Sequence, residues 1–200
     1  MNAMLTLCAD TSGATLSFTL MENASEILSK SWTESAKGRM NELFFSCLQG
    51  FLAEAGARPM DIDRWVSIVG PGSFTGIRIG VAAVSGIAIG LQKEHVGLSA
   101  LDAAALLSSE DEIAVAAAIR MNEYALRRYN FKTDLHSDIE LQLLEPPQAG
   151  IIFVNGKKNS IGYDCLTRAI LDPRVDAFFG DAAPVYVKRS EAEINFDKAR

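Results

Sequence analysis

The feature that most constrains this chain is a glycine-rich junction at residues 70–80, Gly-Pro-Gly-Ser-Phe-Thr-Gly-Ile-Arg-Ile-Gly. An apolar run at 65–69 precedes it and predicts a buried strand; a second apolar run at 81–91 predicts a helix. The junction is therefore a strand–turn–helix unit, a common location for the working backbone of α/β proteins. Gly70 and Gly72 allow dihedral angles that a side chain forbids. Ser73 or Thr75 can cap the helix by accepting a hydrogen bond from a free N–H group.

Small residues recur along this predicted helix at spacings of three and four. They are Gly76, Gly80, Ala83, Gly86 and Gly90. Because glycine inside a helix costs about 1 kcal/mol relative to alanine, close packing must offset the loss. Two alternatives stay open: packing against the sheet of the same chain, and contact with a partner helix. The two can hold together on different faces of the helix.

The junction does not match the common phosphate-binding motifs. It lacks the lysine of a P-loop, and its third glycine comes one residue too late for the dinucleotide fingerprint. Asp10 and its neighbours form a turn after the first predicted strand that is similar to a phosphate hairpin, with a plain turn as the alternative. If the chain binds a phosphate or nucleotide, the expected contacts come from this turn and the junction. They are Asp10, Thr11, Ser12, Gly70, Gly72 and Ser73.

The sequence predicts no catalytic residues and no metal site. Its two histidines, His95 and His136, have no cysteine or carboxylate at ligand spacing. Arg78 and Arg120 are candidate anion contacts, with a solvated surface position as the alternative. We find no acid–base pair that would favour catalysis.

Composition indicates a globular protein in a reducing compartment. The net charge of −6 argues against a broad electrostatic surface for RNA. The cysteines Cys8, Cys47 and Cys165 are odd in number and lie in apolar surroundings, so we expect buried free thiols. The first residues lack the basic start of a signal peptide. The apolar run at 79–91 is shorter than the roughly 20 residues that span a bilayer, so we expect a cytoplasmic protein.

Apolar patterning predicts the order βββαβαβα for the first half. Strands are expected at 5–9, 14–20, 27–32, 65–69 and 95–98, and a third helix, capped by Ser99, at 100–107. The first helix, at 40–55, has apolar residues with a period near 3.6. Phe45 lies off that stripe and either widens the buried face or is an exposed aromatic anchor. Three antiparallel strands followed by alternating helices predict an α/β sheet with an antiparallel edge.

The second half is shorter and less regular. Strands are expected at 113–119 and 124–131, a loop at 132–138, and a strand pair at 141–144 and 151–154 around a proline break. A short helix at 163–171, a strand at 177–179 and an extended segment at 184–189 complete the prediction. The lobes are expected at 1–108 and 109–200, and no internal repeat is visible in the sequence.

The literal string at 70–80 resembles the signature of the TsaB (YeaZ) family. The match continues through Asp10-Thr11-Ser12 and through Asn41-Glu42-Leu43, where Met40 takes the place of a family histidine. Arg120 with Glu123-Tyr124 resembles a later family stretch in which Ala118 replaces an aspartate. The segment at 184–189 resembles the family's terminal pattern. The similarity is strong over residues 5–105 and patchy beyond.

The resemblance implies an actin-like ATPase (ribonuclease H-like) fold with a shortened second lobe. It also implies a non-catalytic subunit that serves threonylcarbamoyl-adenosine modification of tRNA by pairing with a catalytic TsaD-like subunit. Further implied partners are a TsaE-like ATPase and, when the chain is alone, a second copy. The family resemblance implies that the chain contacts tRNA only through the complex. It implies no cofactor, although ATP or ADP could bind at a heterodimer interface.

The same resemblance places the partner contacts on the first two helices or in the core directly beneath them. The expected residues are Met40, Leu43, Phe44, Cys47, Gly76, Ile79, Gly80, Val81, Ala83 and Ile87. The competing hypothesis is an enzyme. A small actin-like ATPase or phosphotransferase would use Asp10 and the 70–76 loop, and a degenerate glycoprotease-like enzyme is the other alternative.

Overall fold

The computed structural model describes residues 3–32, 40–120, 123–133, 135–143, 150–154, 160–185 and 187. The strands of the first sheet are β1 (Leu5–Asp10), β2 (Leu16–Glu22), β3 (Ser25–Trp32), β4 (Arg64–Ile68) and β5 (Glu94–Leu98). The helices are α1 (Met40–Ala55), α2 (Phe74–Leu91) and α3 (Ala100–Leu106), with a short 3₁₀ helix at Pro59–Asp61. This order confirms the predicted βββαβαβα unit.

The first sheet has the strand order β3-β2-β1-β4-β5. β1, β2 and β3 pair antiparallel, whereas β4 lies parallel to β1 and β5 lies parallel to β4. β1 is central, and every residue from Thr6 to Asp10 is buried. Both faces of β1 are therefore covered, and its polar residues Thr6 and Asp10 are buried together with its apolar ones.

One face of the first sheet packs against α1 and α2. Phe18 of β2 makes edge contacts with Phe44 of α1, at 5.3 Å between ring centroids, and lies 5.5 Å from Phe51. Trp65 of β4 and Val84 of α2 complete this core. The predicted 3.6-residue period of α1 is confirmed, since its buried residues include Phe44, Leu48, Phe51 and Leu52.

The second sheet has the order β11-β10-β6-β7-β8, with β9 also paired to β7. Its strands are β6 (Glu112–Arg120), β7 (Glu123–Asn130), β8 (Leu135–His136), β9 (Glu140–Leu143), β10 (Ile151–Val154) and β11 (Ser160–Ile161). β6 and β7 are antiparallel, while β10 is parallel to both β6 and β11. The second sheet therefore repeats the strand pairing of the first, with β6, β7 and β10 in the places of β1, β2 and β4. The sequence showed no internal repeat, because the repeat is one of topology alone.

Several predictions for the second half are wrong in detail. The expected strand at 177–179 is part of a 3₁₀ helix, Val175–Phe178, and the expected loop at 132–138 contains β8. The strands expected to pair around the proline break lie apart: β9 pairs with β7 and β10 with β6. Apolar content alone does not decide between a short strand and a 3₁₀ turn, and it does not give strand partners. The expected extended segment at 184–189 is described only at Pro184, Val185 and residue 187, and there the Val185 N–H donates to Val69 O at 2.8 Å.

The two sheets share one core. The opposite face of the first sheet supplies Cys8, Val66 and Leu98, which pack with Val115 of β6 and with Leu166. Leu166 belongs to the 3₁₀ helix Tyr163–Leu171, whose position confirms the short helix expected at 163–171. The division into lobes at residue 108 stays a prediction, since this core draws on both sides of it.

The free cysteines are only partly as expected. Cys8 is buried, whereas Cys47 and Cys165 are half-buried. Burial raises the pKa of the Cys8 thiol well above its usual value, with the nearby Asp10 adding to the effect.

Among the described residues, α2 alone is long and apolar enough to cross a membrane by length and composition. The sequence expectation counted only residues 79–91 and so underestimated the helix, which begins at Phe74. α2 packs against β4 and β5 in the sheet core, and Ile77, Val84 and Ala88 are buried there. A core helix of a globular fold passes the same length test.

A buried ion pair ties α3 to the second sheet. Asp102 lies in the first turn of α3, and its Oδ1 accepts from Arg127 Nη1 at 2.9 Å and from the Tyr129 hydroxyl at 2.6 Å. Asp102 is 5% exposed and Tyr129 is 4% exposed. Burial and the Asp102 charge raise the pKa of Tyr129 well above its usual value.

We predict that Asp102→Ala lowers the free energy of unfolding by about 3 kcal/mol, because it leaves the half-buried Arg127 without its counter-charge and the Tyr129 hydroxyl without its acceptor. Tyr129→Phe removes one hydrogen bond and should cost about 1 kcal/mol. Urea denaturation measures both changes. The control is Glu140→Ala, which breaks an exposed pair with Arg128 at 3.4 Å and should change stability by less than about 1 kcal/mol. Equal losses in all three variants would contradict the interpretation.

Candidate functional site

The first turn of α2 is anchored to the turn that joins β1 and β2. Ser73 is the N-cap: its hydroxyl accepts from Gly76 N at 3.2 Å, which confirms one of the two predicted caps. The Ser73 N–H donates to Ser12 O at 2.6 Å. Thr11 Oγ1 donates to Gly76 O at 2.7 Å. Side chain and main chain of the β1–β2 turn therefore both hold the start of the helix.

Glycines make this contact possible. A Cβ on Gly72 would overlap Ser12 O, one on Gly76 would overlap Thr11 O, and one on Gly80 would overlap Thr11 Oγ1. Gly70 has φ +100°, a conformation that other residues rarely adopt. For Gly76 and Gly80, close packing within the chain is therefore confirmed.

The predicted phosphate contacts lie close together, and several of their polar groups are hydrogen-bonded within the chain. Asp10 Oδ1 accepts from Ser12 N at 2.6 Å, and Gly70 O accepts from Ala100 N at 2.7 Å. The Ser73 N–H, the group best placed to meet an anion at the helix start, is already bonded to Ser12 O. The hydrogen bond from Ser12 N to Asp10 Oδ1 confirms the alternative for Asp10, a residue that forms the turn. Phosphate binding by the junction stays a prediction.

Asp10 is the unusual group in this junction. It is 1% exposed, and its Oδ2 has no hydrogen-bond partner. The Oγ atoms of Ser12 and Ser17 are also buried without partners. Burial raises the pKa of Asp10 to about 7, and the hydrogen bond from the Ser12 N–H opposes this only in part.

The outer side of the helix layer carries a second candidate site, an apolar groove between the C-terminal halves of α1 and α2. Its volume is about 660 Å³. The lining is mostly apolar or small: Phe45, Leu48, Gln49, Leu52, Ala53, Ala57, Arg58, Pro59, Gly86, Ile87, Gly90 and Leu91. Phe45 is 56% exposed at this groove, and nearby Ile89 is 76% exposed. Of the two alternatives for Phe45, the exposed position is confirmed.

The small-residue stripe of α2 divides between two faces. Gly76 and Gly80 are buried, whereas Gly86 and Gly90 are exposed, and an added Cβ at either would meet nothing within 4 Å. With exposed Ala82, the two outer glycines form a stripe at four-residue spacing. We call Ala82, Gly86 and Gly90 the outer stripe. Sequence reasoning missed this register, although the four-residue repeat was visible.

The predicted interface residues lie in two layers. Met40, Phe44, Gly76, Gly80 and Val81 are buried, and Leu43, Cys47, Ile79, Ala83 and Ile87 are half-buried. Of these ten, Ile87 lines the groove. The buried set belongs to the core beneath the surface, where the prediction allowed it, and the outer stripe and Ile89 form the exposed surface.

His95 and Arg78, which the sequence analysis also considered, interact with neighbouring side chains of the same chain. His95 lies between Ser67 Oγ, 2.9 Å from its Nε2, and Ser85 Oγ, 2.9 Å from its Nδ1, and burial lowers its pKa. Arg78 is exposed and stacks on the Phe74 ring at 3.8 Å. Within the described ranges, no group of three or more histidine, cysteine or acidic side chains is placed to hold a metal ion.

Comparison with solved structures shows the fold. YeaZ from Pseudomonas aeruginosa superposes with a TM-score of 0.69 over 92% of this chain and all of that chain, at 21% identity. An uncharacterized protein with similarity to peptidase YeaZ, also from Pseudomonas aeruginosa, gives the same TM-score and coverage at 20% identity. The chain therefore has the predicted actin-like α/β fold.

Sequence comparison identifies the family. The Escherichia coli K12 tRNA threonylcarbamoyladenosine biosynthesis protein TsaB is 39% identical over 54 residues, which are 27% of this chain. The match spans only 23% of that protein. Residues 34–141, more than half of this chain, match the family model described as TsaD, tRNA N6-adenosine threonylcarbamoyltransferase. The chain belongs to this family, in its TsaB/YeaZ branch.

The matched span of this TsaB/YeaZ protein contains most of the candidate surface. It includes α1, α2 and the junction at 70–80, together with α3, β6 and β7. The groove and the outer stripe therefore lie within the part of the chain that defines the family.

We predict that the same substitution has opposite effects at two glycines of α2. Gly80→Ala forces Thr11 out of place and should destabilise the protein, although alanine is the better helix former. Gly86→Ala meets open space and should stabilise it by up to about 1 kcal/mol. Thermal and urea unfolding measure the difference, and equal shifts at both positions would refute the close contact at Gly80.

Proposed function

We propose that this TsaB/YeaZ protein is a non-catalytic subunit of the machinery that forms threonylcarbamoyl-adenosine in tRNA. It pairs with a TsaD-type catalytic subunit through the outer faces of α1 and α2. The outer stripe beside the apolar groove carries the proposal. The family match and the role of the Escherichia coli relative in threonylcarbamoyladenosine biosynthesis support the pathway.

The composition of this face favours a helical partner. Along α2 the outer stripe has no side chain larger than a methyl group, so another helix can approach the backbone closely. Across the groove, Phe45 supplies an aromatic side chain of the kind that dominates binding energy at interfaces. The exposed residues between Arg78 and the end of α2 carry no charge as far as Gly90. Such a patch loses little hydration when it is covered.

The same face suits a second copy of the chain when the catalytic subunit is absent, since helices with small outer residues can pack on their own kind. A TsaE-type ATPase joins the pair in this proposal, and tRNA is met through the assembled complex. The net charge of −6 agrees with indirect tRNA contact, because it gives this subunit no broad cationic surface of its own.

We predict that Gly86→Leu abolishes pairing without harming the fold. The added side chain has open space within the protomer and fills the groove where a partner helix must lie. The matched control is Gly50→Leu: Gly50 is also an exposed helical glycine with nothing within 4 Å of an added Cβ, but it does not line the groove.

The experiment is co-purification with the TsaD-type subunit of the same organism, followed by calorimetric titration and a threonylcarbamoyl-adenosine assay of the assembled complex. Wild type and Gly50→Leu should bind and support modification, whereas Gly86→Leu should bind at least tenfold more weakly and support little. A wild-type chain that does not bind would refute the pairing. A Gly86→Leu variant that binds normally would exclude this face as the contact.

A further inference from the structure

Asp10, the last residue of β1, holds a carboxyl group that is paired with no cation among the described residues. Asp10 is 1% exposed, its Oδ1 accepts from Ser12 N, and its Oδ2 has no hydrogen-bond partner. An ionised carboxylate in such surroundings is strongly disfavoured, and buried groups of this kind normally become neutral instead.

The elements packed around Asp10 supply no counter-charge. Their titratable or charged groups are Cys8 on β1, Glu22 on β2, Arg64 on β4, Arg78 on α2, and Asp164, Cys165 and Arg168 on the 3₁₀ helix Tyr163–Leu171. Arg168 pairs with Glu26, and Arg64 pairs with Glu94 and Asp176. No cation among the described residues forms an ion pair with Asp10.

Protonation removes the negative charge of the buried Asp10 carboxylate without needing space for a counter-ion. Ser17 lies opposite Asp10 in the antiparallel register, so both side chains project from the same face of the sheet. The Ser17 hydroxyl is also buried without a partner, which makes it the acceptor available to a proton on Oδ2 after a side-chain rotation.

The turn that begins directly after Asp10 is also the anchor of α2. Ser12, whose N–H is held by Asp10, accepts from Ser73 N at 2.6 Å, and Thr11 donates to Gly76 O at 2.7 Å. We propose that this junction is a proton-controlled anchor: it holds the first turn of α2 while Asp10 is neutral, and ionisation of Asp10 loosens it.

The sign of the effect follows from the raised pKa of Asp10, about 7 in the closed junction against 3.8 for a free aspartate. We call the junction closed when the turn holds α2 and open when it does not. At pH values between the two pKa values, Asp10 is protonated in the closed form and ionised in the open form. Opening therefore becomes easier as pH rises from about 4 to 7 and levels off above 7. Within that window each pH unit favours opening by tenfold.

The test uses the isolated full-length chain. Carbon-13 NMR of labelled aspartate follows the Asp10 carboxyl directly, and hydrogen exchange follows the amides of Ser73, Gly76 and Ile77, corrected for intrinsic rates. We expect Asp10 to titrate near neutral pH. The opening equilibrium constant, obtained from the corrected exchange rates, should rise about tenfold per pH unit between pH 5 and 7 and reach a plateau above pH 7.

The decisive variant is Asp10→Asn, which keeps the Oδ1 acceptor for Ser12 N and cannot ionise. Its corrected exchange at the three amides should be independent of pH. Asp164→Asn, which removes an exposed carboxylate, should keep the wild-type profile. An Asp10 carboxyl that titrates near pH 4 would overturn the proposal, as would a pH-dependent opening that persists in Asp10→Asn. If Asp10→Asn fails to fold, the wild-type titration alone decides.

Discussion

The contact between α2 and the β1–β2 turn sets the position of everything built on that helix. At Gly76 and Gly80 the helix lies so close to Thr11 that no other side chain fits. Ile77, Val84 and Ala88 are buried on the sheet side of the same helix, and with 3.6 residues per turn Ala82, Gly86 and Gly90 lie on the side opposite to them. The contact with Thr11 and the apolar core residues together therefore set which face of the helix is exposed.

The same contact explains why glycines that cost helix stability are present at all. At Gly76 the loss is offset by the hydrogen bond that Thr11 donates to Gly76 O and the one that Gly76 N donates to Ser73 Oγ, and at both inner positions by close packing. At the outer positions no described atom lies within 4 Å of a Cβ added at Gly86 or Gly90, and both residues line an apolar groove. The unmatched cost at these two residues is the physical reason to place a partner there.

The second sheet gives the first a stable support. It repeats the pairing plan of the first sheet, and its strands share a core with Cys8, Val66 and Leu98. Asp102, Arg127 and Tyr129 fix α3 to that sheet through a buried polar cluster. Because α3 begins directly after β5, this cluster also fixes the sheet edge beside the junction, where Ala100 N donates to Gly70 O.

The sequence by itself determined the element order of the first half, the family, and which residues of α1 face the core. These follow from local patterns: the period of α1, the capping serines Ser73 and Ser99, and the literal string at 70–80. The tertiary structure decided what depends on contacts between distant segments. These are the partners of β9 and β10, the inward or outward side of each α2 glycine, and the burial of Asp10 without a counter-charge. Sequence spacing records which residues can share a face, but only packing against Thr11 and the apolar core decides which face is turned to the solvent.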